Sequence, residues 1–466
     1  MGPISDNVIK NARHAYFIGV GGVGMSALAR VLKYRGMRVS GSDARESQTT
    51  GELKREGISV MIGQNQVAFG DADLIVYSSA IHPEHLELKM ARQMGLPVCH
   101  RAEILSSLFN QAETSIAVTG THGKTTTSSM ISFVLTELGK NPTCLIGGEV
   151  KNFKTNTVLG SEDLWVSEVD ESDKSHELYA PSYAVITNLE EDHLDHYHDL
   201  RDLENSFARF LKNPRHPGVV IYSDDDPVLR KVVLESGRSK LSFGLTPTAD
   251  FFAQNIRFHS FGAEFDFFEA GFYTTTIHLS VPGLHNVANA LAALALLIQL
   301  GLDPEAISEP LSRFRGAGRR LEIKWRSEDL TIIDDYAHHP TEVRASIRAL
   351  RGLGERLTII FQPHRFSRTQ HFFRQFGSAF EEADELILTD IYGAGEKNTD
   401  NIGVDLIYQQ VLKEGHPAVR VLAKNEIESY LLSRRNAKGI VAFLGAGDIG
   451  EIADEFANRF KSLAPA

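Results

Sequence analysis

At 466 residues, 42% of them apolar, the chain is too long for one hydrophobic core, and two or three domains are expected. A formal charge of −12 excludes general nucleic-acid affinity, so a small anionic ligand would need local positive groups. Cys99 and Cys144 have neither metal-site spacing nor a disulfide framework, the opening MGPISDNVIK is polar, and no apolar run is long enough to span a bilayer; a cytoplasmic protein with no signal peptide and no membrane segment is expected.

The first apolar run, residues 16–20, feeds GVGGVGMSALAR, in which Gly19, Gly21 and Gly24 form a GxGxxG. A helix follows with Leu28, Val31 and Leu32 on one face, and Asp43 closes the next strand, 37–42. Read alone, this is an NAD-binding half with Asp43 on a ribose hydroxyl, and hence a dehydrogenase. A third strand at 73–79 and a helix near 85–94 then lead to Pro97 and Arg101 without a second half. Glycines opening a helix hold any diphosphate, that of a UDP-sugar included, and Ser78, Ser79 and Arg101 sit where strand ends could face such a ligand.

After a polar boundary near 111–114, the strand 116–118 ends in GTHGKTTT and opens a helix whose apolar residues Met130, Phe133, Val134 and Leu138 recur at helical spacing. Gly120 and Gly123 let backbone N–H groups turn on an anion, Lys124 adds a charge, and Thr125 offers a hydroxyl to Mg²⁺. The usual phosphate-loop pattern has a further glycine where this chain has Val118, so a plain Gly-rich turn stays open. Short strands at 144–146, 164–169 and 183–187 alternate with helices, which predicts a mostly parallel sheet. Two of them end in acidic clusters, SEVDESD (167–173) and NLEEDHLDHYHD (188–199), where cation binding is expected. His193, His196 and His198 leave zinc open, but next to a nucleotide a divalent ion taking one nitrogen from His193 is the more economical reading. Residues 249–280 alternate apolar and polar side chains and predict antiparallel hairpins. In the helix opened by VPGLHNVANAL, Asn286 is a cap or a ligand group, whereas Asn289, one turn in, needs a hydrogen-bond partner such as a nucleotide base.

A linker, FRGAGRRLEIKW, concentrates Arg313, Arg315, Arg319 and Arg320. LTIIDDYAHHPTEV then places Asp334 and Asp335 at a strand end and Tyr336, His338 and His339 ahead of a helix starting at Pro340. Strands at 357–361, 386–389, 418–422 and 440–444 alternate with helices in a second doubly wound unit. Arg365 and Arg368, three apart in FQPHRFSRTQ, share a face if helical and could hold a carboxylate or phosphate.

Taken together, GTHGKTTT, EVDESD, NLEEDHLD, PGLHNVANAL, GAGRR and DDYAHHPTEV, behind an IGVGGVGMS start, resemble the Mur ligases over essentially the whole chain. DDYAHHPTE, the glycine-rich start and FQPHRFSRT look most like the alanine-adding branch or its peptide-recycling relative. The resemblance implies an α/β protein of three domains: a Rossmann-like UDP-sugar-binding domain (1–111), a P-loop-type ATP-binding domain with a mostly parallel sheet plus antiparallel hairpins (112–317), and a Rossmann-like amino-acid-binding domain (318–466). It implies an ATP-dependent, amide-forming ligase of peptidoglycan synthesis that joins L-alanine to the lactyl carboxylate of UDP-N-acetylmuramate through an acyl phosphate. The alternatives are a ligase adding a tripeptide and, from another class, the NAD-dependent dehydrogenase.

By the same resemblance Gly120, Thr121, His122, Gly123 and Thr126 join Lys124 in holding the ATP phosphates. Thr125 and Glu168 would hold a first Mg²⁺, with Mn²⁺ the alternative ion, and His193 a second. Asn286 and Asn289 would contact adenine, Arg320 and Asp335 the nucleotide, and His338, Arg365 and Arg368 alanine or the acyl phosphate. Gly21, Gly22, Val23 and Gly24 would hold the UDP diphosphate, with Asp43 near the uridine. Several sister ligases carry a carbamylated lysine shortly after the histidine; residues 206–210 contain none, so no carbamate ligand is expected. Only small-molecule partners are implied, in a monomer or homodimer.

Overall fold

The computed structural model describes residues 6–63, 67–192, 196–213, 218–433 and 439–463, and its contacts divide the chain into two units. The first comprises Met1–Phe252, Phe268–Tyr273 and Asn289–Pro310; the second comprises Ala253–Phe267, Thr274–Ala288 and Leu311–Ala466. The fold is mixed α/β and built on three sheets.

The first unit opens with a five-stranded sheet in the spatial order Ser59–Ile62, Arg38–Asp43, His14–Ile18, Leu74–Tyr77, Val98–His100, every neighbour parallel. His14–Ile18 is central and buried on both faces, which is why it reads as a continuous apolar run. The strand expected at 73–79 is the fourth in chain order, not the third. Ser59–Ile62 precedes it, an edge strand whose residues stay partly or fully exposed and so carry a weak apolar signal.

The central sheet has ten strands, in the order Phe272–Leu279, Gly262–Glu269, Phe251–His259, Lys240–Gly244, Val219–Ser223, Tyr183–Ile186, Thr114–Thr119, Ser161–Glu168, Pro142–Val150, Thr155–Val158. Its middle is parallel, with Val118 opposite Glu168 and Thr119 opposite Ile186. Three successive strands therefore end side by side, and the loops that leave them share one edge, where parallel sheets gather ligands. The helix Lys124–Glu137 leaves the middle strand and is buried from Thr125 to Leu135. Two of its buried serines are satisfied within the helix, the Ser128 and Ser129 hydroxyls donating to the Thr125 carbonyl. The expected hairpins are the three strands between 251 and 279, and one of their turns has Ala270 and Gly271 both at positive φ, as a type I′ turn requires. One apolar cluster runs from Phe17 and Leu28 through Phe109 and Trp165 to Phe207, so the first two sheets share a core.

The second unit carries a six-stranded sheet in the order Glu322–Arg326, Leu330–Asp335, Gly439–Leu444, Leu357–Phe361, Glu385–Leu388, Val419–Val421, parallel except for its first strand. Leu357–Phe361 matches its expected bounds, and the helix Pro340–Arg351 begins at the expected proline. Among the described residues no helix is long and apolar enough to cross a membrane.

Candidate active site

The phosphate loop follows from two glycines. Gly120 and Gly123 sit at φ of 120° and 82°, and Gly123 is the left-handed cap from which the helix Lys124–Glu137 starts. The loop is braced from the neighbouring strand end. The Thr121 and His122 amides donate to the Asn188 carbonyl and side-chain oxygen at 3.1 and 2.8 Å, and the Asn188 amide returns a bond to the His122 carbonyl at 3.0 Å. Glu190 accepts the Thr121 hydroxyl on its carbonyl at 3.1 Å, and its carboxylate lies 2.9 Å from His122 Nε2.

The other neighbouring strand supplies the acids. Glu168 accepts the Thr125 hydroxyl at 3.0 Å and the Gly147 amide at 2.6 Å; a Cβ at Gly147 would collide with that carboxylate. Thr125 and Glu168 thus present hard oxygen ligands side by side, a donor set that fits Mg²⁺. Lys124 donates to the Gly120 carbonyl at 2.6 Å, the Thr121 carbonyl at 3.1 Å and the Glu171 carboxylate at 2.8 Å. Burial works against its charge, but Glu171, Asp170 and Glu168 more than offset that and hold the ammonium above the usual lysine range. Thr126 is buried in the same turn, and Asn289 Oδ1 accepts the Thr127 hydroxyl at 3.3 Å. His193 lies outside the described residues.

The glycine-rich loop of the first sheet has its own architecture. Asp43 accepts the Gly21 amide at 2.8 Å, Gly22 caps the helix Val23–Tyr34, and Val23 is exposed. A Cβ on Gly24 would lie 2.8 Å from the Arg101 guanidinium, so the glycine leaves room for that side chain. Ser78 is half-buried, and its carbonyl accepts the Ile81 amide at 2.9 Å. The Ser79 hydroxyl donates to Asp173 at 2.7 Å and lies 3.1 Å from His100 Nε2, which ties this sheet to the acidic stretch after Glu168. Burial, reinforced by Arg101, pushes His100 down to about 4 against the pull of Asp173.

In the second unit, Asp335 accepts the Ser346 hydroxyl at 2.6 Å and the Ala337 amide at 3.1 Å; burial pushes it up to about 6 although Ser346 and Arg320 oppose the shift. Arg320 lies 5.3 Å from the Tyr336 ring centre and 3.6 Å from Glu342. His338 Nδ1 lies 2.9 Å from the Tyr336 carbonyl, and its ring meets that of His364 at 5.6 Å. Asn286 donates to the Pro282 carbonyl at 2.7 Å from inside the first turn, so it does not cap the helix Leu284–Gln299. Arg365 and Arg368 do not both belong to a helix: Arg365, at φ 68°, is the cap ahead of Phe366–Ala379, with its guanidinium 3.7 Å from Glu396, while Arg368 lies 3.0 Å from His364 Nδ1. Arg319 rather than Arg320 pins the linker, donating to Asp334 at 3.1 Å and to the Gly445 and Gly447 carbonyls at 2.6 and 3.1 Å.

Glu171, Asn188 and Glu190 were not singled out from the sequence, although EVDESD and NLEEDHLD contain them. The signal available was their position just past strands flanking a phosphate loop.

Three family models match the chain in order: residues 14–113 the Mur ligase family, catalytic domain; 118–297 the Mur ligase middle domain; and 319–447 the Mur ligase, glutamate ligase domain. The UDP-N-acetylmuramate--L-alanine ligase of Aquifex aeolicus is 40% identical over 95% of this chain and 96% of its own length. That of Gloeobacter violaceus is 41% identical over 97% of each. Among solved structures, UDP-N-acetylmuramate-alanine ligase MurC of Thermotoga maritima superposes with a TM-score of 0.83 at 28% identity, covering 97% of this chain and 100% of that one. These matches favour neither a tripeptide-adding ligase nor an NAD-dependent dehydrogenase.

Proposed function

The chain belongs to the Mur ligase family, and on that premise we propose that it joins L-alanine to the lactyl carboxylate of UDP-N-acetylmuramate at the expense of ATP. The family is ATP-dependent. The observation that carries the reading is the trio Lys124, Thr125 and Glu168: a cation, a hydroxyl and a carboxylate at the mouth of one glycine loop, in a chain matched over 95% of its length by an alanine-adding relative.

The chemistry explains why such groups are needed. A carboxylate resists attack by an amine, so one of its oxygens first takes the γ-phosphoryl group, ADP leaves, and the free amine of alanine displaces phosphate from the acyl phosphate. Catalysis is then positioning and neutralisation of charge. Lys124 binds the β/γ-phosphates, with Gly120, Thr121, His122, Gly123 and Thr126 supplying the rest of the loop. Thr125 and Glu168 are the residues that would hold Mg²⁺, which supplies further neutralisation of phosphate charge when bound. Asn286 and Asn289 serve adenine, Arg320 and Asp335 the nucleotide, and His338, Arg365 and Arg368 alanine or the acyl phosphate. Gly21, Gly22, Val23 and Gly24 take the UDP diphosphate, with Asp43, Ser78, Ser79 and Arg101 around the sugar nucleotide.

Phosphate release is the test. With ATP and UDP-N-acetylmuramate present, it should depend on L-alanine and exceed that with glycine, L-serine or a short peptide; release equal with a tripeptide, or independent of UDP-N-acetylmuramate, would overturn the assignment.

A further inference from the structure

An ammonium group has three N–H donors, and in Lys124 all three are spent inside the protein, on two carbonyls of its own loop and on the Glu171 carboxylate. Glu171 is the unusual partner. Its side chain is 0% exposed and that of Lys124 is 13% exposed, so the pair is removed from water and its attraction is little screened.

Glu171 is also held from several sides. The Tyr197 hydroxyl donates to its carbonyl at 2.7 Å, and its carbonyl also accepts the Lys174 amide at 3.0 Å. Upstream, Glu168 is fixed by Thr125 and Gly147; downstream, Asp173 is fixed by Ser79 and by the Ser175 amide at 3.0 Å. A carboxylate carried on backbone so anchored, and itself fully buried, can orient a flexible lysine, which otherwise has four rotatable bonds to spend.

We propose that Glu171 is a positioning residue: it grips Lys124 Nζ from the buried side, so that the ammonium exchanges a loop carbonyl for a nucleotide phosphate without swinging away from the loop. This rests on the reading of Lys124 as the ATP-phosphate ligand. Glu171 itself touches no substrate. Its carboxylate keeps the Lys124 ammonium aimed, and its burial keeps it from competing with phosphate for the outward face.

A double-mutant cycle tests this, with the affinity for a non-hydrolysable ATP analogue in Mg²⁺ measured by calorimetry and kcat and KM for ATP measured with UDP-N-acetylmuramate and L-alanine. Glu171→Gln keeps the shape and removes the charge; it should lower kcat/KM for ATP about tenfold, with Tm stabilisation by UDP-N-acetylmuramate unchanged. In a Lys124→Ala background the same change should leave analogue affinity within twofold, because Glu171 acts through the lysine. Equal losses in both backgrounds, or none in either, would overturn the proposal. Should Glu171→Gln not fold, Glu171→Asp keeps the charge but withdraws it by one methylene, and must lose turnover likewise. If Lys124→Ala alone binds the analogue as wild type does, it is the ATP-site reading that fails, not the coupling.

Discussion

Asn289 Oδ1 occupies the space into which a Cβ on Gly123 would project, and Gly123 stands at φ 82°. The phosphate loop and the helix Leu284–Gln299 are thus fitted to each other through a residue with no side chain. Gly123→Ala should cost about 1–2 kcal/mol from the dihedral alone, more from the collision, and abolish stabilisation by ATP analogues. Adding Asn289→Ala relieves the collision but not the dihedral, so denaturant unfolding should recover only part of the loss. A single variant as stable as wild type would refute this.

Lys124→Ala should fold and lose about a thousandfold or more in kcat, since the side chain bonds its own loop at the proposed nucleotide site rather than filling a core. Its removal strands the buried Glu171 carboxylate without its cation, so the melting temperature should also fall. ADP release within tenfold of wild type would contradict the role.

Asp43 bonds the Gly21 amide and so shapes the loop proposed for the UDP diphosphate. Asp43→Ala should raise KM for UDP-N-acetylmuramate about tenfold and leave KM for ATP within twofold. The reverse pattern would move the sugar nucleotide elsewhere.

Acid stability should follow three histidines, His100 and His176 buried and His285 half-buried. Burial pushes His100, His176 and His285 down to about 4; Arg101 reinforces the shift at His100 and Arg320 at His285, while Asp173 opposes it at His100, Glu171 and Glu177 at His176, and Glu342 at His285. Below pH 6.5 the unfolded chain takes up these protons before the folded one, so stability present above 6.5 is lost progressively towards pH 4. His176 packs against Phe207 and Phe210, and His176→Phe should therefore flatten the fall in Tm across that window. An unchanged slope would show that other groups set it.

The legible parts of the sequence were those where one residue type has one use. Glycines ahead of helices marked both loops, and apolar runs such as Leu357–Phe361 marked strands buried on both faces. Edge strands escaped: Ser59–Ile62 and Thr155–Val158 carry little apolar signal because little of them is buried. Val219–Ser223 and Lys240–Gly244 lay in a stretch without motifs. Arg365 and Arg368 looked like one helical face because spacing reports no backbone angles, and φ 68° at Arg365 starts the helix one residue later. Glu171 hid within an acidic run: six residues of EVDESD offer four carboxylates, and only tertiary contact separates the one on Thr125 from the one on Lys124.

The acyl phosphate is the centre of the account, and oxygen tracing reaches it directly. With UDP-N-acetylmuramate labelled by ¹⁸O in its lactyl carboxylate, turnover with ATP and L-alanine should transfer one labelled oxygen to inorganic phosphate, read by mass spectrometry, with ADP as the nucleotide product. Unlabelled phosphate, or label in AMP with release of pyrophosphate, would contradict it.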